Sequence, residues 1–371
     1  MKVPFFGLDR EYKKYRNNFL EIFENVMSHG KVLQGPEVDE FERTLTEITG
    51  RKHAVAVNSC TDALYFSLKA FGIKPGDEVM VTSYSFIASA SCILRIKAIP
   101  VFVDVDDSFH MDLSSMERMN SSKVKAIIYP HMFGNISDMS GVIQFAQENG
   151  IPLIEDAAQS LGAEINNVKS GSFGDCSCIS FDPTKVIGAP GSGGVFLTDE
   201  KKLADHVRIL RYHGKDPKQG FVECGYNSQM PTLTASILNF KLHHLKEFEL
   251  RRQKIAKFYS ENLHSEVKTQ IQKPNSNHIF HKFVLEFKDS NIRNHVLGYL
   301  KSLGIGCMIH YAMPLNKNKL FASCEYRSDN LKKCESLCSL VLSLPIHPWL
   351  TNDEISFVVD SVNESAAGYS Q

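Results

Sequence analysis

Between residues 53 and 200, short and almost uninterrupted apolar runs alternate with amphipathic stretches. That alternation limits the fold more than any other feature. HAVAVN (53–58) leads into a helical pattern around ALYFSLKAF, and GIKPGDEVMVTS reads as a Pro-Gly turn followed by a strand. A helix is expected from Phe86 onward. IPVFVDV, VKAIIYP and IPLIEDA are further strands, the last two separated by a helix around SDMSGVIQFAQENG. Strands apolar along their whole length are buried on both faces, so the pattern predicts an α/β fold with a mostly parallel sheet between helices. CSCISF (176–181) and GVFLTD (194–199) lie too close for a helical crossover and are expected to pair antiparallel. Ligands of such sheets bind outside the carboxyl ends of the strands.

Upstream, VDEFERTLTEITG puts Val38, Phe41, Leu45 and Ile48 on one helical stripe that stops at Gly50. Downstream, LTASILNFKLHHLKEFELRRQKIAKFY reads as helical. HKFVLEF and a helix around NIRNHVLGYLKSLG then predict a smaller α+β domain closing with LSLPIHPWLTNDEISFVVDSV. We divide the chain into a large domain of residues 1–245, including the N-terminal segment, and a small domain of residues 246–371. With 371 residues and 43% apolar content, two cores can be filled. Lys plus Arg number 41 against 42 Asp plus Glu, so no overall field favours nucleic acid or an anionic membrane. No apolar stretch is long enough for a membrane span, and MKVPFFGLDREYKKY lacks a secretory pattern. Nine cysteines without paired spacing then suggest reduced thiols in a cytoplasmic protein.

Four places at expected strand ends could carry chemistry. NSCTDAL (58–64) is a strand-to-helix junction, where Thr61 and the amides of Cys60 and Thr61 could hold an anion; Ser59 or Thr61 acting only as a helix cap is the other reading. TSYSFIASA (82–90) supplies Tyr84 and Phe86, either of which could stack on a planar ligand or belong to the core. In IEDAAQS (154–160), Glu155 and Asp156 end a buried strand, where a carboxylate is costly unless paired; a protonated ring nitrogen is one fitting partner, and Gln159 could share its face. In SFDPTKVIGAPGSGG (180–194), Ser180 ends a strand, Lys185 follows a Pro-Thr turn, and glycines keep the path to it open. A P-loop is excluded because no Lys-Ser/Thr follows the glycines, and a Rossmann fingerprint because its spacing is absent. An accessible lysine, a strand-end carboxylate, a strand-end serine and an anion site together meet the needs of pyridoxal phosphate: an amine for its aldehyde, an acid for its ring nitrogen and donors for its phosphate.

In motif order the chain resembles the DegT/DnrJ/EryC1/StrS family of sugar aminotransferases, over nearly its whole length. The resemblance runs from VPFFGLD and QGPEVDEFE through NSCTDALYFSLKAFGIKPGDEVMVTSYSFIASA, VFVDVD, YPHMFGN, IEDAAQSLGA and SFDPTK. It continues to LRYHG (210–214), GYNSQM (225–230) and LSLPIHPWLT. It implies a fold-type I pyridoxal-phosphate transferase with a mostly parallel seven-stranded sheet. It also implies that Lys185 carries the cofactor as an internal aldimine and shuttles the proton, that Asp156 faces the pyridinium nitrogen, and that Gln159 lies near the ring hydroxyl. Phe86 would stack on the ring, Cys60, Thr61 and Ser180 would hold the phosphate, and Asn227 would reach the neighbouring subunit's cofactor in a homodimer with shared sites. His213, His310 and Tyr311, with Tyr84 and Gln229, are the candidates for lining the substrate pocket. The implied reaction is ping-pong transfer of an amine, with L-glutamate as donor and a nucleotide-linked 3-keto or 4-keto deoxy sugar as acceptor, in the making of a surface polysaccharide such as O-antigen or of a glycosylated metabolite.

The chain departs from the family pattern at Cys60, where glycine is usual, at Asp182, where an aromatic or His is usual, and at Gly191-Ser192-Gly193-Gly194. It also has Gln229 where an Arg is usual, so a carboxylate held by that Arg would have to be bound differently. Two other readings remain. A related branch dehydrates sugars on the same fold but has His in place of the lysine, and a catalytically silent regulatory protein would have no need of Asp156, Gln159, Ser180 and Lys185 together. His131, His213, His310 and His347 stand in separate segments without ligand spacing, so no metal is expected, and no cysteine has a His at a motif position.

Overall fold

The computed structural model describes residues 1–264, 267–270 and 272–369. Its large sheet is built from β1 (His53–Val57), β2 (Glu78–Thr82), β3 (Ile99–Val103), β4 (Val124–Pro130), β5 (Leu153–Asp156), β6 (Cys176–Ser180) and β7 (Gly194–Thr198). The C-terminal half contributes β8 (Lys268–Thr269), β9 (Phe283–Glu286), β10 (Arg327–Ser328) and β11 (Val341–Leu344). The order in the large sheet is β1-β7-β6-β5-β4-β2-β3-β10. The seven expected strands are joined by a two-residue eighth, β10, which lies parallel to β3. No sequence signal marked Arg327–Ser328 as a strand, because a two-residue ladder is too short to show alternation.

β7 is the exception to the parallel arrangement, pairing antiparallel with both β1 and β6. The β6–β7 connection carries Lys185, so that lysine projects from the sheet edge where the other strands end. Two apolar layers cover the sheet. One holds Phe41, Leu45, Leu238 and Phe248; the other holds Phe66, Leu68, Ile93 and Leu210. The helices α1 (Leu8–His29), α2 (Pro36–Thr49), α3 (Cys60–Ala70) and α4 (Ala88–Arg95) include the two that matter most for the site, since α3 and α4 begin just beyond the ends of β1 and β2.

The small domain packs the antiparallel sheet β8-β9-β11 against helices around Val296, Leu300, Val358 and Val362. The expected boundary at 245/246 falls at the start of the helix Leu245–Asn262. The N-terminal segment, assigned whole to the large domain from sequence, is shared instead. Val3 exchanges backbone hydrogen bonds with Gly304 and Gly306 and sits in the small domain's core, whereas Tyr15 of α1 belongs to the large one. Backbone pairing with Gly304–Gly306 leaves no periodic trace in VPFFGLD, so the sequence alone did not reveal it. No helix among the described residues is long and apolar enough to cross a membrane.

Candidate active site

A cavity of about 350 Å³ opens beyond the carboxyl ends of β1, β2, β5 and β6. Its size suits a small cofactor. Cys60, Thr61, Phe86, Asp156, Gln159, Ser180, Lys185, His310 and Tyr311 all line it, so the fold gathers most of the candidates from segments far apart in sequence.

Lys185 reaches the cavity through a tight turn. The Asp182 carboxylate accepts from Thr184 N at 3.0 Å and Thr184 Oγ1 at 2.7 Å, and Lys185 N donates to Asp182 O at 2.9 Å. Phe181 is fully buried and closes the base of the loop, accepting from Ala189 N and donating to Gly193 O. A Cβ at Gly188 would come within 2.4 Å of Pro183 O, so the return path requires glycine. The Lys185 ammonium pairs with no carboxylate among the described residues. Burial pushes its pKa down, with Cys60, Asp156 and Asp182 pulling the other way. A lysine so placed is a ready nucleophile for a carbonyl.

The two carboxylates at the end of β5 are sorted by strand alternation. Glu155 points into the protein, is fully buried, and accepts from Gly171 N at 2.7 Å and Phe173 N at 2.8 Å. Its contact with His131 Nε2, at 3.1 Å, is off the line of a hydrogen bond. Asp156 points into the cavity, accepting from Ser89 Oγ at 2.7 Å and Ala158 N at 3.2 Å. Burial raises its pKa against those two donors and Lys185. It has no cation at ion-pair distance among the described residues, which leaves room for a cationic ring N–H. Ser89 had no distinguishing sequence signal; it works only because α4 starts beside β5.

Gln159 accepts from Phe133 N at 3.0 Å and donates to Tyr311 OH at 3.0 Å, which fixes both groups on the wall. Phe86 is 56% exposed, an aromatic ring free to cover a planar ligand. At the other end Ser59 caps α3 by accepting from Asp62 N at 3.1 Å, so the cap reading of NSCTDAL holds for Ser59. The amides of Cys60 and Thr61, in the first turn, remain for an anion. A Cβ at Gly194 would fall 2.3 Å from Cys60 N, so glycine there lets β7 start against the helix. Ser228, missed in the sequence, holds this corner from behind: its carbonyl accepts from Asn58 N and its hydroxyl donates to Asp62 at 2.8 Å.

Four candidates lie elsewhere. Tyr84 is not on the cavity wall; it is fully buried among Phe109, Phe133 and Tyr311, and its hydroxyl donates to His310 O at 2.6 Å. It supports the pocket from inside the core, a role that strand position could not separate from contact with a ligand. His213 and Asn227 are exposed, and Gln229 meets Gln34 on a neighbouring groove rather than the cavity. Lys282, His281 and Phe6, unmarked in the sequence, do line the cavity. Among the described residues no group of three or more His, Cys, Asp or Glu could hold a metal ion.

A profile of the DegT/DnrJ/EryC1/StrS aminotransferase family matches residues 13–363. The chain belongs to this family. It is 34% identical, over 99% of the chain and 98% of the relative, to an Acidithiobacillus ferrooxidans UDP-N-acetyl-3-dehydro-alpha-D-glucosamine 3-aminotransferase. It is 33% identical, over 98% of both chains, to a Geobacillus stearothermophilus protein named a pleiotropic regulatory protein. The solved structure of S. venezuelae DesV in complex with a ketimine intermediate superposes with a TM-score of 0.94 at 31% identity, covering 98% of each chain. The fold is that of the fold-type I pyridoxal-phosphate aminotransferases, and the cofactor of this aminotransferase is pyridoxal 5′-phosphate. The site fits it. An unpaired buried carboxylate, an unpaired lysine and unpartnered amides at a helix start are each left short of the group that the cofactor supplies.

Proposed function

We propose that the protein moves the amino group of L-glutamate to a 3-keto or 4-keto deoxy sugar attached to a nucleotide, in two half-reactions with ping-pong kinetics. The observation that carries this is the Lys185 amine, unpaired in the same cavity as the unpaired Asp156 carboxylate. Bound pyridoxal phosphate supplies an aldehyde and an electron-accepting ring. The chain supplies the rest. Lys185 offers its amine to the aldehyde and carries the proton at its Nζ, and the Asp156 carboxylate keeps the ring nitrogen protonated. The first amides of α3, with Thr61 and Ser180, hold the phosphate, Phe86 covers the ring, and Gln159 orients it beside Tyr311.

The nucleotide-sugar acceptor is supported by the names of relatives such as the A. ferrooxidans 3-aminotransferase. We place the reaction in deoxyamino-sugar assembly for a surface polysaccharide or glycosylated metabolite, in the cytoplasm. We read the protein as a homodimer. Tyr12, Leu20, Phe23 and Met27 leave α1 with exposed apolar side chains, and the exposed Asn227 and His213, with the half-buried Gln229, are then available to the neighbouring subunit's site. The dehydratase reading is disfavoured because Lys185 stands where that branch has His. The regulatory name of the Geobacillus relative is answered by the same test. Visible absorbance of the pyridoxal-phosphate-loaded protein should bleach on adding L-glutamate, and Lys185→Ala should show neither band nor bleaching. A loaded protein that no amino acid bleaches would return the regulatory reading.

A further inference from the structure

Beside Lys185 the cavity wall carries a second lysine to which the proposed mechanism gives no role. Lys282 is only 6% exposed, lines the cavity, and pairs with no carboxylate among the described residues. Its ammonium lies 4.6 Å from the Phe6 ring centre and 5.0 Å from that of Phe5, a contact that offsets part of the cost of burial. Its backbone is fixed, because Lys282 N donates to Phe133 O and a Cβ at Gly134 would come within 2.6 Å of His281 N.

We infer that Lys282 is a substrate-recognition residue that binds a carboxylate, either the side-chain carboxylate of a dicarboxylic amino donor or the carboxylate of an acidic sugar. The inference rests on the aminotransferase reading and names a specificity contact within its site. The neighbourhood favours an anion. Lys185 and Arg252 press on Lys282 with like charge, and Asp182 is its one carboxylate counterweight, itself exposed and engaged by Thr184. His281 and His310 on the same wall are kept neutral by burial. A carboxylate entering between Lys282 and the cavity would supply the missing charge and gain a charge-assisted hydrogen bond. The neutral Gln229 cannot do this, and it lies on the neighbouring groove.

The test uses holoenzyme and three unreactive probes followed by calorimetry: glutarate, UDP-glucuronate and UDP-glucose. Lys282→Met should weaken glutarate about tenfold to a hundredfold if the donor's carboxylate is the ligand. It should instead weaken UDP-glucuronate by that factor, and leave UDP-glucose unchanged, if the sugar's carboxylate is. Lys282→Arg should restore the affected probe. Cofactor absorbance and melting temperature matching the unaltered protein establish that the variant is folded; if Met is not tolerated, Lys282→Gln takes its place. Equal affinities in variant and unaltered protein, an equal loss for UDP-glucose and UDP-glucuronate, or no binding of either acid by the unaltered protein would overturn the inference. Glutarate binding that depends on Lys282, in a protein whose absorbance L-glutamate does not change, would uphold it while sinking the amino-transfer reading.

Discussion

The cavity around Lys185 and the pocket beneath the N-terminal segment around Lys241 touch the same loop, and their chemistry is opposite. Lys241 donates to Glu11 Oε2 at 2.8 Å, has Oε1 at ion-pair distance, and donates to the Gly188 carbonyl, so its charge is matched and the loop is tied to α1. Lys185, three residues before Gly188, has no such partner. Both pKa values are pushed down by burial, yet at Lys241 a carboxylate in contact offsets the push. Burying a charge without a partner is costly and is retained where a ligand completes the arrangement. The paired lysine fixes the loop, and the unpaired one is left for chemistry.

The largest expected effect tests the unpaired side. Lys185→Ala should cut amino transfer by roughly 10⁴-fold, measured in steady state, with little change in melting temperature. If activity survives, the contrast between the two lysines is broken. On the paired side, Glu11→Gln should lower unfolding free energy by about 3–5 kcal/mol in a denaturant titration, because it strands a buried ammonium. An unchanged midpoint would mean that Lys241 is not held by Glu11.

Asp156→Asn should reduce turnover by about 10²–10³-fold while the protein remains folded, since the charge proposed to face the ring nitrogen is lost. Glu155→Gln, one residue away, should instead reach stability, by about 1–3 kcal/mol, through the Gly171 and Phe173 amides. Swapped outcomes would show the strand register to be wrong.

The last effect is acid sensitivity shared by both regions. His347 beneath the N-terminal segment has its pKa pushed down to about 4, and His310 on the cavity wall to about 3, both mainly by burial. Folded values below the ordinary 6.5 mean that the unfolded chain binds the extra protons. Stability should therefore be flat above pH 7 and fall as pH drops from 6.5 toward 4, by about 2 kcal/mol per histidine at pH 5. His347→Gln should remove its share of that slope. A flat urea midpoint down to pH 4 would contradict their neutral burial.

The succession of strands along the chain, the antiparallel return of β7 and the strand-end positions of Lys185, Asp156, Gln159 and Ser180 were legible in the sequence, whereas the crossed order of strands within the sheet was not. Each legible feature follows from local rules: continuous apolar runs, a connection too short for a crossover, and residue types placed after those runs. Tyr84 shows where such rules stop. It ends a strand as Phe86 nearly does, and only packing decides that one is sealed in the core while the other covers the cavity. Ser89, Ser228 and Lys282 were illegible for the same reason, since each acts on a residue that the fold brings from a distant segment. Val3 likewise joins the small domain through a backbone pairing that leaves no side-chain pattern.

By itself, then, the sequence determined the α/β architecture, the family and most of the residues that line the cavity, because periodicity and turn chemistry are local and are written in consecutive residues. How Glu155 is satisfied inside the protein, which buried lysine is paired, and that Lys282 pairs with no carboxylate among the described residues were decided only by tertiary structure. Burial and charge compensation depend on distances between segments that no stretch of sequence contains.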